Sequence, residues 1–316
     1  MHSELDSLLH ASAILRADPR WRAALLRHVQ DLDPAAAARL RVDIHPGDRM
    51  LLHSPAHHRD AGAALSQYVA IALQQCAAAR QAMALLQPRP ERAPAVLDFA
   101  CGYGRLLRFL SLALPPGRIW AADIQADAVA FVAATFGVQG LPSQADPARF
   151  MPGRQFDFIW VASLFSHLPE ALFRAWMQRL LELLTPGGLL CFSVRDAALL
   201  PAGVALPASG ILYATHSENA DLDPAIYGTA YASEAFVRAV LPDCAALPCR
   251  RLPRALAQEQ DLYVVARDPR HDLAALDGFR RGPWGWLDRR VLDVDGHLLL
   301  QGWAASFDDG AIARIE

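Results

Sequence analysis

Apolar and polar positions change their pattern near residue 95. Before that point, residues 8–26 and 63–86 are rich in Ala, Leu, Gln and Arg, which favour helices. Within the second of these segments, apolar side chains recur at helical spacing and form one stripe. Three prolines between residues 88 and 94 interrupt the pattern. The sequence therefore predicts an N-terminal helical extension over residues 1–94.

From residue 95 to residue 267, short apolar runs alternate with longer periodic segments. Such alternation predicts a mostly parallel sheet with helices on both faces, that is, a doubly wound α/β fold. Predicted strands cover residues 96–100, 118–124, 138–143, 156–164, 189–194, 250–256 and 262–266, which makes seven strands. Predicted helices cover residues 105–114, 127–136, 169–184 and 234–240, the last capped by Ser233.

Two regions do not follow this alternation. Residues 196–228 are irregular and contain several Pro and Gly residues, and a loop of this length is often functional. Residues 268–316 predict a linker and a short β tail, with a hairpin turn at Asp295-Gly296. The tail resembles the beginning of a β-sandwich accessory module that is attached to some bacterial glycosyltransferases, and this resemblance favours a glycan substrate.

The segment from Val96 to Leu107 carries the clearest chemical signal. It predicts a buried strand, a Gly-rich bend and a helix that begins at once. Glycine allows positive φ and a close approach of the backbone to a ligand, and nucleotide-like ligands sit at this position in doubly wound sheets. A dinucleotide site requires a third glycine near Leu107, and the sequence has none there.

These residues resemble the first motif of the class I S-adenosylmethionine-dependent methyltransferases, read here as Asp98-x-x-x-Gly102-x-Gly104. Four further matches follow in order, at Asp123, Asp146, residues 156–160 and residues 184–188. The resemblance implies a Rossmann-like fold over residues 95–267 with S-adenosylmethionine as cofactor. It assigns cofactor binding to Asp98, Ala100, Cys101, Gly102, Gly104, Asp123, Ile124, Asp146 and Ser163. Asp123 is expected to bind the ribose hydroxyls and Asp146 the adenine amino group, whereas Ala100 departs from the family, which has glycine there.

The sequence indicates the residues that bind the methyl acceptor less clearly than those that bind the cofactor. Methyl transfer depends mainly on positioning the nucleophile, and a base is useful chiefly for a hydroxyl acceptor. His167 follows the fourth predicted strand and is the candidate base. The candidate acceptor pocket comprises Tyr68, as part of a helical lid, together with Tyr213, His216 and Tyr227.

The composition of the chain limits which binding partners, metals and cellular locations are expected. The net charge of −3 gives no electrostatic footprint for nucleic acid or an anionic membrane. Five cysteines without CxxC spacing argue against a disulfide framework or a zinc site. A cluster of His53, His57 and His58 lacks completing carboxylates, so we expect no metal. Neither a signal peptide nor a long apolar run is visible, which predicts a cytoplasmic protein; the oligomeric state stays open.

The leading hypothesis is methyl transfer from S-adenosylmethionine to a small molecule or saccharide, with oxygen as the favoured acceptor atom. One alternative is a non-catalytic S-adenosylmethionine-binding partner or scaffold protein. Another is a nicotinamide-dependent oxidoreductase, against which the missing third glycine speaks.

Overall fold

The computed structural model divides the chain into two compact units, Met1–Asp277 and Gly278–Glu316. It describes residues 10, 13, 17–27, 34–51, 61–86, 93–216, 219, 222–241, 247–308 and 310. The N-terminal helices thus group with the sheet in one unit, whereas the sequence places domain boundaries after residues 94 and 267. Three separate domains stay a prediction.

A seven-stranded sheet forms the centre of the first unit, in the order β3-β2-β1-β4-β5-β9-β8. Strands β1 to β5 pair in parallel, and β9 runs antiparallel to both β5 and β8. The strands of this unit are β1 Val96–Phe99, β2 Ile119–Asp123, β3 Gln139–Pro142, β4 Phe156–Val161, β5 Leu184–Val194, β6 Ile211–Ala214, β7 Thr229–Ala232, β8 Cys249–Leu256 and β9 Gln260–Ala266. The predicted doubly wound sheet is confirmed.

Helices cover the sheet because their apolar sides match its buried strands. Every residue of β1 and β4 is buried, and the ring of Trp176 lies 4.6 Å from the ring of Phe99. The described helices are α1 Pro19–Arg27, α2 Pro34–Ala38, α3 Ala61–Met83, α4 Leu107–Ala113, α5 Ala126–Phe136, α6 Glu170–Glu182 and α7 Glu234–Val240. None of these helices is long and apolar enough to cross a bilayer.

The strand order reverses between β1 and β4, and this position determines where a ligand can enter. The chain leaves β1 toward β2 on one side and leaves β4 toward β5 on the other. A crevice therefore opens beyond the carboxyl ends of these strands, as in other open α/β sheets. The loops that follow β1, β2, β3 and β4 all meet at this edge.

The irregular segment after β5 contains structure that the sequence did not indicate. Strands β6 and β7 form a two-stranded antiparallel ribbon, with Ile211 opposite Ala232. Each strand has four residues and Gly and Pro lie around them, so neither produces a recognisable alternation. The ribbon connects to Tyr227 and Gly228, which lie beside the crevice.

An N-terminal segment, residues 41–51, is held against the Gly-rich bend by buried polar contacts. The Tyr68 hydroxyl donates to Asp48 Oδ2 at 2.6 Å and accepts from Arg108 Nη2 at 3.0 Å. His45 stacks on Tyr103 with ring centroids 4.3 Å apart. These contacts fix Asp48 and its neighbours at the entrance of the crevice.

The second unit contains one hairpin, formed by β10 Pro283–Leu292 and β11 Leu298–Ser306. Gly296 adopts a φ of +83° in the connection, as the Asp-Gly signal predicts. Asp293, Asp295 and His297 lie together in this turn and are all exposed. Hydrogen bonds within the turn account for their proximity.

Candidate active site

A cavity of about 1250 Å³, part of it open to solvent, lies at the reversal of the strand order. Four loops at the carboxyl edge of the sheet contribute residues 98–103, 105–106, 123–125, 143–145 and 162–164. The remaining lining comes from residues 48–50, Gln75, Leu168, Leu172, Trp176, Asn219, Leu222, Ile226 and Tyr227. The first three loops are called the cofactor side below, and the apolar residues Met50, Leu168, Leu172, Leu222, Ile226 and Tyr227 are called the acceptor side.

The bend after β1 leaves its backbone open to the cavity. Ala100 and Gly102 adopt φ values of +58° and +52°, and both line the cavity together with Cys101. A Cβ added to Gly102 would meet no atom within 4 Å, so no side chain blocks the approach. Left-handed φ suits glycine, and the methyl group of Ala100 therefore makes this residue strained.

Gly104 packs closely against a neighbouring helix. It does not line the cavity, and a Cβ there would lie 2.6 Å from Cε2 of Phe136 on α5. The absence of a side chain, together with a φ of +78°, lets the bend pack against α5. Gly104 therefore has a packing role in the structure, and its predicted contact with the cofactor stays a prediction.

Asp123, at the end of β2, lies at the cavity wall and holds the bend. Its Oδ2 accepts a hydrogen bond from the Gly102 N–H at 2.8 Å, and its Oδ1 accepts from the Gln125 N–H at 2.9 Å. Burial raises the pKa of Asp123, and these backbone hydrogen bonds oppose the rise. A carboxylate has about four acceptor positions, so this group retains capacity for ligand hydroxyls.

Asp98, at the end of β1, has fewer hydrogen-bond partners than Asp123. The side chain belongs to a residue only 4% exposed, and Oδ2 has no hydrogen-bond partner in the described part of the chain. Burial raises the pKa of Asp98 to about 8, the nearby Asp123 carboxylate adds to the rise, and Arg105 opposes it. A buried carboxylate of this kind is suited to a cationic ligand group.

The loop after β3 brings a different residue to the cavity from the one predicted. Asp146 is exposed, and its Oδ1 accepts from the Ala148 N–H at 3.0 Å, which caps a short 3₁₀ helix. Ser143, Gln144 and Ala145 line the cavity instead. The structure therefore does not place Asp146 at the cavity, and its contact with adenine stays a prediction. Gln144 is a polar neighbour in the chain that does line the cavity.

Ser163, after β4, lines the cavity in a conformation that neighbouring strands support. Its φ is +63°, which is unfavourable for a residue with a Cβ. The Ser163 N–H donates to Ser193 Oγ at 2.8 Å, and Gln260 Nε2 donates to Ser163 Oγ at 3.0 Å. Strands β5 and β9 thus fix this residue at the carboxyl edge.

His167 does not reach the cavity lining. It is 1% exposed, and its Nδ1 lies 2.6 Å from the Gly228 carbonyl oxygen. Because a carbonyl only accepts, Nδ1 carries the proton. The ring stacks on Tyr227 at 4.5 Å, and Tyr227 is a lining residue. In the structure His167 therefore supports Tyr227, and its role as a base stays a prediction.

Three predicted pocket residues lie away from the cavity lining. Tyr68 is buried beneath it and bonded to Asp48, while Gln75 of the same helix lines the cavity. The Tyr213 hydroxyl donates to the Pro224 carbonyl oxygen at 2.7 Å, and His216 is exposed. Of the four predicted residues only Tyr227 is at the wall. His53, His57 and His58 lie outside the described residues.

Sequence reasoning missed the polar residues Arg105, Gln75 and Gln144. Arg105 directly follows the last glycine of the bend and lines the cavity, so its position in the motif was a usable signal. Gln75 and Gln144 carried none, because a single amide in a helix or loop has no distinguishing spacing.

The chain is similar to several known proteins. Residues 96–188 match a family model described as a methyltransferase domain. A glycopeptide N-methyltransferase, MtfA, solved with S-adenosyl-L-homocysteine, is 20% identical, with 60% of this chain and 89% of that chain covered and a TM-score of 0.43. DesVI of Streptomyces venezuelae is 16% identical over 61% of this chain and 91% of that chain, with a TM-score of 0.44. An S-adenosylmethionine-dependent methyltransferase of Clostridium acetobutylicum is 13% identical over 69% and 96%, with a TM-score of 0.43. Curated proteins give no match.

The matched segment spans the strand β1, its bend and the strands up to the turn within β5. Together with the strand order, this match identifies a class I methyltransferase domain. The chain therefore contains a match to a methyltransferase domain over residues 96–188, as the first motif predicts. This match does not favour the nicotinamide alternative.

Proposed function

We propose that the cofactor side of the cavity holds S-adenosylmethionine, and that the methyl group passes to the hydroxyl of a small, largely apolar molecule on the acceptor side. The observation that carries this proposal is the pair Asp98 and Asp123, two buried carboxylates at the ends of adjacent strands that face one cavity across an open glycine bend.

The residues present fit the cofactor group by group. Asp123 has acceptor capacity for the two ribose hydroxyls. Ile124 follows it and is 41% exposed at the cavity wall, which offers an apolar surface for the adenine ring. The unpartnered Oδ2 of Asp98 suits the ammonium group, because a buried carboxylate is stabilised by a cation. We therefore assign Asp98, Ala100, Cys101, Gly102, Asp123, Ile124, Gln144 and Ser163 to cofactor binding.

When bound, the cofactor supplies a methyl group on an activated sulfonium. The chain's contribution is then to hold the acceptor in line and to exclude water. Positioning alone supplies a large part of the rate in such reactions. Met50, Leu222 and Tyr227 close the cavity from outside the sheet and suit this task.

The lining indicates which acceptor is favoured. Outside the four loops the cavity is lined mostly by apolar side chains, with Asp48, Arg49, Gln75 and Asn219 as its polar residues. This apolar majority favours a largely apolar acceptor over a saccharide, which needs many polar partners. Among the residues that the structure describes, no histidine lines the cavity, and Asp48 already accepts from Tyr68. A phenol ionises near pH ~10, far more readily than a sugar hydroxyl, so it depends least on a protein base. A small phenolic molecule is our first candidate, and a saccharide is the second.

A transfer assay tests the proposal. The full chain would be incubated with S-adenosylmethionine labelled in its methyl group and with separate sets of phenols, arylamines and saccharides. We expect label on phenols and much less on the other sets. Label found only on saccharides would overturn the acceptor assignment. Binding of S-adenosylhomocysteine without transfer to any set would favour the non-catalytic binding alternative. The Asp123→Ala variant is the negative control, and Asp268→Ala, at an exposed ion pair, is the matched surface control.

A further inference from the structure

Gln75 is a buried polar side chain that faces the cavity without a protein partner. The residue lies in α3, is 5% exposed and lines the cavity. Within the part of the chain that the structure describes, its amide makes no hydrogen bond. Neither amide atom is fully enclosed, so the surface that remains to them faces the cavity. Buried amides in native proteins are nearly always hydrogen-bonded, and this one therefore points to a ligand.

The helix α3 reaches the cavity from the half of the sheet that does not carry the ribose and adenine contacts. It packs against α4 and also against β5 and β8. The Ala257 N–H, in the turn between β8 and β9, donates to Oε1 of the neighbouring Gln74 at 2.6 Å. Asp123 and Ile124 follow β2, which lies on the other side of β1 and β4 in the sheet. This placement assigns Gln75 to the acceptor rather than to the adenosine part of the cofactor.

The other polar residues that line the cavity outside its four loops are already engaged. Asp48 Oδ2 accepts a hydrogen bond from the Tyr68 hydroxyl at 2.6 Å. Arg49 and Asn219 each make an interaction within the protein. Of these four polar residues, only Gln75 has an uncommitted polar group in the described structure.

We propose that Gln75 determines acceptor specificity by binding a second oxygen of the acceptor, so that the favoured substrate is an aromatic ring with one reacting hydroxyl and one further hydroxyl. This inference rests on the proposed function, since it concerns the acceptor of the same transfer. It deepens that function from phenols in general to phenols that carry a second hydroxyl.

The chemistry of an amide explains why a second oxygen is the partner. An amide has two N–H donors and a carbonyl oxygen that accepts, so it can donate to a hydroxyl or accept from it. Donation to the reacting oxygen would draw on the lone pair that attacks the methyl group. The amide is therefore better paired with an oxygen that does not react. In a mostly apolar pocket, a few placed polar groups of this kind fix the orientation of the ligand.

Matched ligand pairs test the inference on the unaltered full chain, saturated with S-adenosylhomocysteine so that no turnover occurs. Calorimetry would compare the ortho, meta and para dihydroxybenzenes with the three cresols, in which a methyl group replaces the second hydroxyl. In at least one pair the dihydroxybenzene should bind at least about tenfold more tightly, because the cresol leaves a buried amide unpaired. Equal or reversed affinity in all three pairs would overturn the inference and leave the proposed function standing. Failure of every ligand to bind would contradict the proposed function itself.

Variants of Gln75 then locate the effect. Gln75→Met keeps a side chain of similar length that favours a helix and removes the amide. It should reduce the preference for the dihydroxybenzene to within about twofold and leave the affinity for S-adenosylhomocysteine unchanged. Its midpoint of urea unfolding should not fall, because an amide without a partner does not stabilise the fold.

Gln81→Met is the matched control on the same helix, since the Gln81 amide donates to the Ala77 carbonyl oxygen at 3.3 Å. This variant should keep the full preference. A preference that survives in Gln75→Met would overturn the assignment. A loss of affinity for S-adenosylhomocysteine in Gln75→Met would also overturn it, because Gln75 would then serve the cofactor or the fold. The ligand pairs on the unaltered chain decide the inference even if Gln75→Met does not fold.

Discussion

The two sides of the cavity are built from different parts of the chain. On the cofactor side, backbone groups and carboxylates lie where parallel strands end, and the sheet itself sets their positions. On the acceptor side, apolar side chains come from Met50, from Leu168 and Leu172 at the start of α6, and from Leu222, Ile226 and Tyr227. The sheet does not position these residues. The cofactor side is therefore a property of the fold, and the acceptor side is a property of this chain.

If the two sides differ in this way, removing the Asp123 carboxylate should reduce cofactor affinity the most, because this group holds the bend and is also proposed to bind the ligand. Asp123→Ala removes the acceptor for the Gly102 and Gln125 N–H groups as well as the proposed ribose contact. We expect the affinity for S-adenosylhomocysteine to fall by about a hundredfold or more, since several charge-assisted hydrogen bonds are lost. Calorimetry on the purified full chain measures it.

Asp146→Ala is the matched control for that variant. Asp146 is also an acid that follows a strand of the same sheet, but it caps a short helix at the surface. Its removal should change the affinity by less than about twofold. If both variants lost cofactor affinity to a similar extent, a position at the cavity wall would not matter for binding. Our assignment of the cofactor side would then be wrong.

The next effect concerns the pH dependence of cofactor binding. In the free protein the pKa of Asp98 is raised to about 8, so at pH 6 the carboxyl is protonated. Binding of an ammonium group requires the ionised form, and a proton must leave. The affinity for S-adenosylhomocysteine should therefore rise about tenfold from pH 6 to pH 7, rise less steeply through pH 8 and level off above it.

Asp98→Asn provides the check on that slope. An amide has no proton to release in this range, so the affinity of the variant should be weak and nearly independent of pH. A slope that survives in Asp98→Asn would have to come from another group, and Asp98 would then not be the ammonium partner.

A smaller effect is expected when the acceptor side alone is changed. Tyr227→Ala removes an aromatic wall that stacks on His167. For a phenol that is methylated by the unaltered chain, KM should rise about tenfold, because a stacked ring contributes about 0.5–1.5 kcal/mol beyond its buried area. Binding of S-adenosylhomocysteine should stay unchanged. His216→Ala, an exposed residue of the same insertion, should alter neither quantity, and a loss of cofactor affinity in Tyr227→Ala would remove the distinction between the two sides.

The same contrast explains how far the sequence could predict the site. The strand, bend and helix from Val96 onward follow from local pattern, and so do the ends of β2 and β4. Asp98, Gly102, Asp123, Ile124 and Ser163 accordingly lie at the cavity. Their positions depend on where parallel strands end, and strand ends are visible as a change from apolar to polar residues.

Other predictions depended on the direction of single side chains, which pattern does not fix. Asp146 turns outward because its carboxylate caps the short helix that it precedes. His167 turns inward because its Nδ1 meets a carbonyl 61 residues further along the chain. The acceptor side joins residues 48–50 to residues 222–227 across the whole domain, and no local spacing carries that information.

Ala100→Gly has the smallest expected effect, and it distinguishes backbone strain at the bend from contact of the Ala100 methyl group with the ligand. Ala100 holds a φ of +58°, where a Cβ costs about 1–2 kcal/mol, so Ala100→Gly should raise the free energy of unfolding by about 1 kcal/mol after allowing for the greater freedom of glycine in the unfolded chain. The exposed Ala130, inside helix α5, gives a control of opposite sign, because Ala130→Gly should cost about 1 kcal/mol. Urea unfolding measures both.

The affinity of Ala100→Gly for S-adenosylhomocysteine should be unchanged, because the cofactor side would contact the ligand through the backbone of the bend. A gain in affinity without a gain in stability would show instead that the methyl group obstructs the ligand.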